Sequence, residues 1–320
     1  MMNKIIEIYK KNLFSRCDDN GDIFYFSKKD FKELKSEEYI FDSSKGYKLK
    51  GNFYYYDNYK PNHIVIFEHG MGGGHLSYFR ELEILARRGY KVLSYDHSGC
   101  MKSEGDSTGG FCQSLCDLND CINSIKNNNT YRDYKLSVIG HSWGAFSTMN
   151  IPHFHNDVKH IIAMSGFISL DQMLKQMFGG LLKKCQAPVY QIEKESNPDI
   201  VNINAINSLR NYNGKALIIH SKDDKVVKSK FHFDKLKQAL NEKNNIEFLL
   251  VNNKNHNPNY TEDAVIYKDK FFKIYKKHLK KGLLKTDYQK NKFKGSFNWF
   301  KMTQQDYNIW EEIFSVLENE

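Results

Sequence analysis

The stretch Leu136–Gly144 reads LSVIGHSWG and determines how the rest of the chain is interpreted. Its first four residues are typical of a strand that is buried on both faces, and the apolar segment Ala145–Met149 can begin a helix. The Gly-x-Ser-x-Gly pattern between strand and helix predicts a sharp turn, in which glycines replace side chains that would collide. The hydroxyl of Ser142 would then project above the end of a sheet, so Ser142 is the candidate nucleophile.

Short apolar segments alternate with longer helical segments on both sides of this turn. Six strands are predicted in series, at His63–Phe67, Lys91–Tyr95, Leu136–Ile139, His160–Met164, Ala216–Ile219 and Ile246–Val251. Earlier strands are predicted at Ile23–Phe26, Tyr39–Phe41 and Phe53–Tyr56. This alternation predicts the α/β class, with a mostly parallel, doubly wound sheet.

A serine hydroxyl needs a base that removes its proton and an acid that orients the base. When the nucleophile lies on such a turn, the chain order is serine, acid, histidine. His256 lies in the polar loop Asn252–Asn259, directly after the last predicted strand, whereas His232 and His278 lie in helical segments. His256 is therefore the candidate base.

The candidate acid follows the predicted strand Ala216–Ile219. Asp224 is preferred because Asp224–Val227 reads DKVV, and the two valines can anchor the turn against the core. Its neighbour Asp223 remains open as an alternative.

A glycine-rich turn, His69–Gly74, follows the first predicted parallel strand and reads HGMGGG. Backbone N–H groups in such a turn can approach a ligand closely, so the N–H groups of Met71 and of Trp143 are the candidate donors to an oxyanion. The turn lacks the lysine and the spacing of nucleotide-binding loops. No metal and no organic cofactor is expected.

These ordered motifs resemble the α/β-hydrolase family, and more closely its monoacylglycerol lipase-like and serine aminopeptidase-like branch. The resemblance covers residues 45–280 and includes Asp96–Gly105, where Ser98 and Met101 replace an arginine and a glycine of the family pattern. It implies the α/β-hydrolase fold and a catalytic triad of Ser142, Asp224 and His256.

We therefore expect a serine hydrolase that cleaves a carboxylic ester, or a related acyl bond, of a small or lipid-like substrate. One alternative is a serine aminopeptidase-like peptidase, in which Glu193 and Glu195 would bind the substrate ammonium group. Surface charge is the favoured interpretation of both glutamates. An acyltransferase and a non-catalytic binding protein on a hydrolase scaffold are further alternatives.

Residues 165–215 separate two predicted strands and exceed the length of one crossover helix, which predicts a helical cap insertion at about 166–212. Apolar residues from Leu170 to Leu182 recur at helical spacing. We expect this helix to pack on the domain. The alternative is that its methionine and leucine face roofs an apolar substrate pocket.

The chain has 320 residues and a formal net charge of +9, and its 40% hydrophobic content suits a globular protein. The segment 268–301 holds twelve lysines and two aspartates, so it carries +10 and leaves −1 for the remainder. Only six of the 47 basic residues are arginines, and we expect no nucleic-acid partner. Weak peripheral contact of this segment with anionic membranes is a further hypothesis.

The predicted organisation is a hydrolase domain at 1–283, followed by a basic connector and a helical appendage at 284–320, packed on or near the core. The helix over 267–280 is expected to close the hydrolase sheet. Residues 1–16 have no continuous apolar core of a signal peptide, and a cytoplasmic location with reduced thiols is expected. No oligomeric state is predicted.

Overall fold

The computed structural model describes residues 2–319. The strands in that range are β1 (Lys35–Asp42), β2 (Lys48–Tyr55), β3 (His63–Glu68), β4 (Lys91–Tyr95), β5 (Lys135–His141), β6 (His160–Met164), β7 (Lys215–Ser221) and β8 (Ile246–Val251). The α-helices are α1 (Met2–Leu13), α2 (Phe79–Arg87), α3 (Gln113–Lys126), α4 (Trp143–Asn150), α5 (Leu170–Met177), α6 (Gln186–Ser196), α7 (Ala205–Arg210), α8 (Phe233–Leu240), α9 (Glu262–Lys280), α10 (Asp287–Gly295), α11 (Trp299–Met302) and α12 (Tyr307–Glu318). Among residues 2–319, no helix is both long and apolar enough to span a membrane.

The eight strands form a sheet in the order β1-β2-β4-β3-β5-β6-β7-β8. The pairs β1–β2 and β2–β4 are antiparallel, and the pairs from β4 through β3 to β8 are parallel. Because parallel strands end at the same edge, the loops after β3, β5, β7 and β8 meet there. The predicted class, a mostly parallel doubly wound α/β sheet, is confirmed.

Side chains along the parallel strands point alternately to the two faces of the sheet, and each face has its own apolar core. In β3, Ile64 and Ile66 face one apolar cluster, whereas Val65 and Phe67 face the other on the opposite side of the sheet. All four side chains are fully buried. A strand with helices on both faces has no solvent side, which explains why the parallel strands are almost continuously apolar.

The prediction of a strand at Ile23–Phe26 is wrong. These residues form no regular secondary structure, although their aromatic side chains are packed. The ring of Phe24 lies 5.8 Å from the ring of Trp299, and that of Phe26 lies 4.6 Å from Phe300. Contacts with the far end of the chain, rather than pairing with a strand, therefore hold this segment.

The helix near the end of the chain that packs on the sheet is α12. The expectation that the 267–280 helix closes the sheet is wrong. Trp310 and Ile313 of α12 are fully buried in the same core as Val65 and Phe67. In α9, Phe271 belongs instead to a small separate cluster with residues of the 284–302 segment. The domain boundary predicted at 283/284 stays a prediction. Helix α12 is part of the core that contains Val65 and Phe67.

The segment between β6 and β7 holds three α-helices, but the helix predicted to extend from Leu170 to Leu182 ends at Met177. Gly179 and Gly180 follow, and Gly180 has a φ of 57°, in the left-handed region that favours glycine. The next turn is a 3-10 helix in which Leu181 is fully exposed. The apolar period thus continued in the sequence past the point where the glycines stop the helix.

The interpretation of Glu193 as surface charge is wrong, because this residue of α6 is fully buried. Its Oε1 accepts hydrogen bonds from the hydroxyl of Tyr9 in α1 and from the N–H of Phe111, the latter at 3.0 Å. Burial is the main cause that raises the pKa of Glu193 to about 7. Glu193 therefore ties α1 to the insertion, whereas Glu195 is exposed as expected.

The substitution Glu193→Gln is expected to remove part of the pH dependence of stability. The folded-state pKa of about 7 exceeds the ordinary value of 4.5, so the unfolded chain ionises first and the wild type loses stability as pH rises between them. Glutamine retains an acceptor and does not ionise. The variant should gain on the order of 1–3 kcal/mol in free energy of unfolding, relative to wild type, between pH 5 and pH 8.

Guanidinium chloride unfolding at these two pH values measures this difference. Glu195→Gln is the matched control, and it should follow the wild type at both values. Identical pH dependence in the wild type and Glu193→Gln would contradict the role assigned to the buried carboxyl.

Candidate active site

Ser142 lies on the turn that joins β5 directly to α4, with φ 57° and ψ −111°. A positive φ is strained for a residue with a side chain, so the surrounding structure must hold it. A Cβ atom at position 140 would collide with the carbonyl oxygen of Gly144, and one at 144 would collide with the carbonyl oxygen of Glu68. Both positions of the predicted turn therefore require glycine, and they hold the serine in this conformation.

The structure brings Ser142, His256 and Asp224 together from three different loops. The Oγ of Ser142 lies 2.8 Å from Nε2 of His256, and Nδ1 of His256 lies 2.8 Å from Oδ2 of Asp224. These contacts join residues 114 and 32 positions apart in the chain. The loops after β5, β8 and β7 supply them, as the predicted serine, acid, histidine order requires.

The carboxylate of Asp224 is fully buried and receives hydrogen bonds on both oxygens. Its Oδ1 accepts from the N–H groups of Val226 and Val227, at 2.8 and 3.0 Å. Burial alone would raise the pKa of Asp224, but the hydrogen bond and charge of His256 outweigh it and keep that pKa below the ordinary value. Asp223 is exposed, and its carboxylate contacts Ser221 and Asn255.

The glycine-rich turn after β3 lies beside the serine. A Cβ atom at Gly70 would lie 3.3 Å from the Cβ of Ser142, so the absence of a side chain permits this approach. Met71 lines the cavity above Ser142 together with residues 70–73. Trp143 begins α4, where backbone N–H groups have no partner within the helix.

Two residues that the sequence analysis did not single out connect the histidine loop to this turn. Burial, followed by the charge of His256, lowers the pKa of His141 to about 3, so its ring is neutral. Its Nε2–H donates to the carbonyl oxygen of His256 at 2.6 Å, and its Nδ1 accepts from the hydroxyl of Tyr78 at 2.8 Å. The oxygen of Tyr78 in turn accepts from the N–H of Gly70 at 3.0 Å. In the sequence, only the position of His141 within the Gly-x-Ser-x-Gly pattern could have indicated a role for it.

A cluster of charged side chains lies fully buried beneath the turn. The ring of His97 lies 3.4 Å from Oε2 of Glu68 and 3.3 Å from Oδ2 of Asp117, and it packs 4.7 Å from Trp143. Burial disfavours the charged ring, but the two carboxylates raise the pKa of His97. Ser98, which replaces the family arginine, donates its N–H and hydroxyl to Asp117. The ring of His97 and the hydroxyl of Ser98 therefore both contact the carboxylate of Asp117 beneath the turn.

A cavity of about 620 Å³ opens above Ser142 and His256. Its walls come from residues 17–26, from the turn after β3, and from residues 265–275 and 299–303. The described residues 166–212 are not among those that line it. The alternative that the methionine and leucine face of α5 covers this pocket is therefore wrong. Leu170, Met173 and Leu174 are buried instead in the apolar cluster that contains Ile64 and Ile66.

Residues 59–205 match the family model described as serine aminopeptidase, S33. The uncharacterized protein YqkD of Bacillus subtilis is 27% identical over 176 residues, which are 53% of this chain and 55% of that protein. The chain thus spans about half the length of this curated relative.

Among solved structures, esterase Pf2001 of Pyrococcus furiosus is similar, with a TM-score of 0.59, 20% identity, and coverage of 84% of this chain and 98% of the esterase. A putative dienelactone hydrolase of Klebsiella pneumoniae has a TM-score of 0.52 and 16% identity, over 73% of this chain and 90% of its own. An acylaminoacyl peptidase of Pyrococcus horikoshii has a TM-score of 0.51 and 15% identity, and the match covers 70% of this chain and 37% of the peptidase. The predicted fold and the resemblance to the α/β-hydrolase family are confirmed.

The hydrogen-bonded chain of Ser142, His256 and Asp224 predicts that a fluorophosphonate probe labels Ser142 covalently. The imidazole accepts the proton as the serine oxygen attacks phosphorus and displaces fluoride. Mass spectrometry of the folded protein should find the adduct on the peptide that contains residue 142. Ser165→Ala is the control, since Ser165 is a buried serine at the neighbouring β6 end and should leave labelling intact. Labelling that persists in Ser142→Ala would contradict the assignment.

Proposed function

Because the chain has the α/β-hydrolase fold, we propose that it is a serine hydrolase that cleaves a carboxylic ester of a small or lipid-like substrate. The observation that carries the proposal is the continuous hydrogen-bonded path from Ser142 Oγ through His256 to the buried Asp224. Each group has the partner that its role requires. The esterase among the similar structures adds support at the level of fold.

In the proposed reaction, Nε2 of His256 removes the proton of Ser142 as the serine oxygen attacks the ester carbonyl carbon. Asp224 holds the Nδ1–H of the ring and stabilises the imidazolium that forms. Collapse of the tetrahedral intermediate expels the alcohol, which takes its proton from His256 and leaves an acyl-serine. Water, activated by the same histidine, then releases the carboxylic acid.

The negative charge on the tetrahedral intermediate needs hydrogen-bond donors. We assign this role to the backbone N–H groups of Met71 and Trp143. Two observations support it: Gly70 lies against Ser142, and Trp143 begins a helix directly after the nucleophile. The positive end of the helix dipole favours an anion at the same point.

The aminopeptidase alternative requires a carboxylate that is free to bind a substrate ammonium group. Glu193 does not meet this requirement, because it is buried against Tyr9 and Phe111. Asp18, which lines the cavity, is already paired with Arg16 at 2.8 Å, whereas Asp269 also lines the cavity and is exposed, so it is the carboxylate that this alternative would need. An acyltransferase differs only in the acceptor of the acyl group, and the ratio of acid to transferred product with added alcohol would identify it.

The lysines of segment 268–301 remain a proposed contact with anionic lipid. Two of them have partners inside the protein, since Lys268 donates to Asn257 and Lys290 to the carbonyl oxygen of Asn20. Most of the others are exposed and available to a charged surface. Such binding would weaken with salt.

The acid of the proposed triad can be tested with a matched pair of variants. Asp224→Asn should lower kcat for p-nitrophenyl acetate by about three to four orders of magnitude, because asparagine would orient the wrong histidine tautomer. Asp223→Asn, one residue away and exposed, should change kcat little. The reverse ranking would give the role to Asp223, and full activity in Ser142→Ala would exclude the proposed mechanism altogether.

Tyr78 is expected to act as a positioning residue. Tyr78→Phe removes the hydrogen bonds to Gly70 and His141, and a net contribution of about 1 kcal/mol each predicts a fall in kcat of roughly tenfold or more. KM should change little, because the hydroxyl has two partners within the protein. Steady-state kinetics measure both constants, and Tyr307→Phe, at an exposed site, is the control. A rise in KM at unchanged kcat would show instead that Tyr78 binds substrate.

A further inference from the structure

The cavity above Ser142 is walled by the two ends of the chain. Residues 17–26 form one side, and residues 265–275 of α9 with residues 299–303 form another. In the sequence residues 17–26 are at least 239 positions from residues 265–275, so no local pattern joins them. The buried apolar side chains of the insertion between β6 and β7 pack instead in the cluster that contains Ile64 and Ile66.

Polar contacts hold the two chain ends to each other and to the body of the protein. The hydroxyl of Tyr275 in α9 donates to Oδ2 of the buried Asp22 at 3.0 Å. On the other side of the amino-terminal segment, Arg16 donates to the carbonyl oxygens of Ser103 and Gly105 at 2.9 and 2.7 Å. These contacts give the wall a definite structure without a bound ligand.

Aromatic packing completes the same connection. Phe24 lies 5.8 Å from Trp299, and Trp299 lies 5.1 Å from Phe271, so the rings form a continuous layer from one chain end to the other. Phe24 and Phe272 remain 37% and 39% exposed at the cavity. Exposed phenyl rings on a concave surface favour an apolar ligand that would cover them.

We propose that these two chain ends bind the apolar chain of the ester, and that they, rather than the insertion, select substrates with a medium-length hydrocarbon chain. This inference rests on the proposed function of Ser142. The volume of about 620 Å³ lies within the range of sites that enclose small organic ligands. Ser142 and both phenyl rings line the same cavity, so we expect a chain longer than acetyl to extend from the serine toward the rings.

The charged residues that line the cavity are Asp18, Lys268 and Asp269. Asp18 and Asp269 are exposed, and Asp18 is paired with Arg16. Lys268 donates to Asn257 at 3.1 Å, beside the histidine loop, and lies 4.9 Å above the ring of Tyr260. A hydrocarbon chain that covers Phe24 and Phe272 needs no charged partner, and the contacts of Asp18 with Arg16 and of Lys268 with Asn257 are satisfied within the protein.

The test uses the full chain with Phe24→Ala and Phe272→Ala combined, one substitution from each chain end. For p-nitrophenyl octanoate, kcat/KM should fall by about tenfold or more, because the chain loses two apolar surfaces. For p-nitrophenyl acetate it should change little. A parallel series of acetate esters with longer alcohols determines whether the acyl or the alcohol chain occupies the wall, and a selective loss in either series supports the proposal.

Two variants are matched controls. Phe154→Ala removes an equally exposed phenyl ring that does not line the cavity, and Met177→Ala alters the insertion. Both should retain the wild-type preference for octanoate. Loss of chain-length preference in Met177→Ala, or retention of chain-length preference in both ester series by the double variant, would overturn the proposal.

Fluorophosphonate labelling of Ser142 separates this outcome from failure of the proposed function. If the double variant is labelled at the wild-type rate while its chain-length preference is lost, the reacting groups are intact and the wall alone has changed. If the wild type is neither labelled nor active on any ester of either series, the proposed function fails, and the wall proposal is rejected with it.

Discussion

The strained turn at Ser142 is the constraint on which the rest of the site depends. A side chain at position 140 or 144 would collide with backbone, so strand β5, helix α4 and the end of β3 must lie close together. That closeness brings the glycine-rich turn against Ser142, whose Oγ lies 2.8 Å from Nε2 of His256. The free energy that compensates the strain comes from burial on both faces of the parallel sheet.

Two groups of buried polar side chains surround the turn that carries Ser142. Beneath it, His97 lies between two fully buried carboxylates, and above it His141 and Tyr78 connect the histidine loop to Gly70. Buried charges cost free energy unless they are paired, so each of these groups restricts the others to one arrangement. One network contacts Trp143, next to Ser142, and the other contacts the backbone of His256.

Much of the fold and the core of the candidate site could be predicted from sequence, because both depend on local patterns. Strands buried on two faces read as apolar runs, and the chain order of Ser142, Asp224 and His256 follows from the loop that each occupies. The parts that were predicted wrongly involve contacts between distant segments. Ile23–Phe26 has the composition of a strand but packs on Trp299 and Phe300, and Glu193 resembles a surface charge but is buried against Tyr9.

The sequence by itself therefore determined the sheet, the nucleophile turn and the identity of the three candidate catalytic residues, because glycine spacing and apolar periodicity reflect backbone geometry within a few residues. Only the tertiary structure decided what surrounds the cavity above Ser142. The cavity is walled by the two chain ends, and α12, rather than α9, covers the sheet. Which of several amphipathic segments packs at a given place depends on the shape and burial of surfaces formed by the whole chain, and periodicity records that a residue is buried without recording its partner.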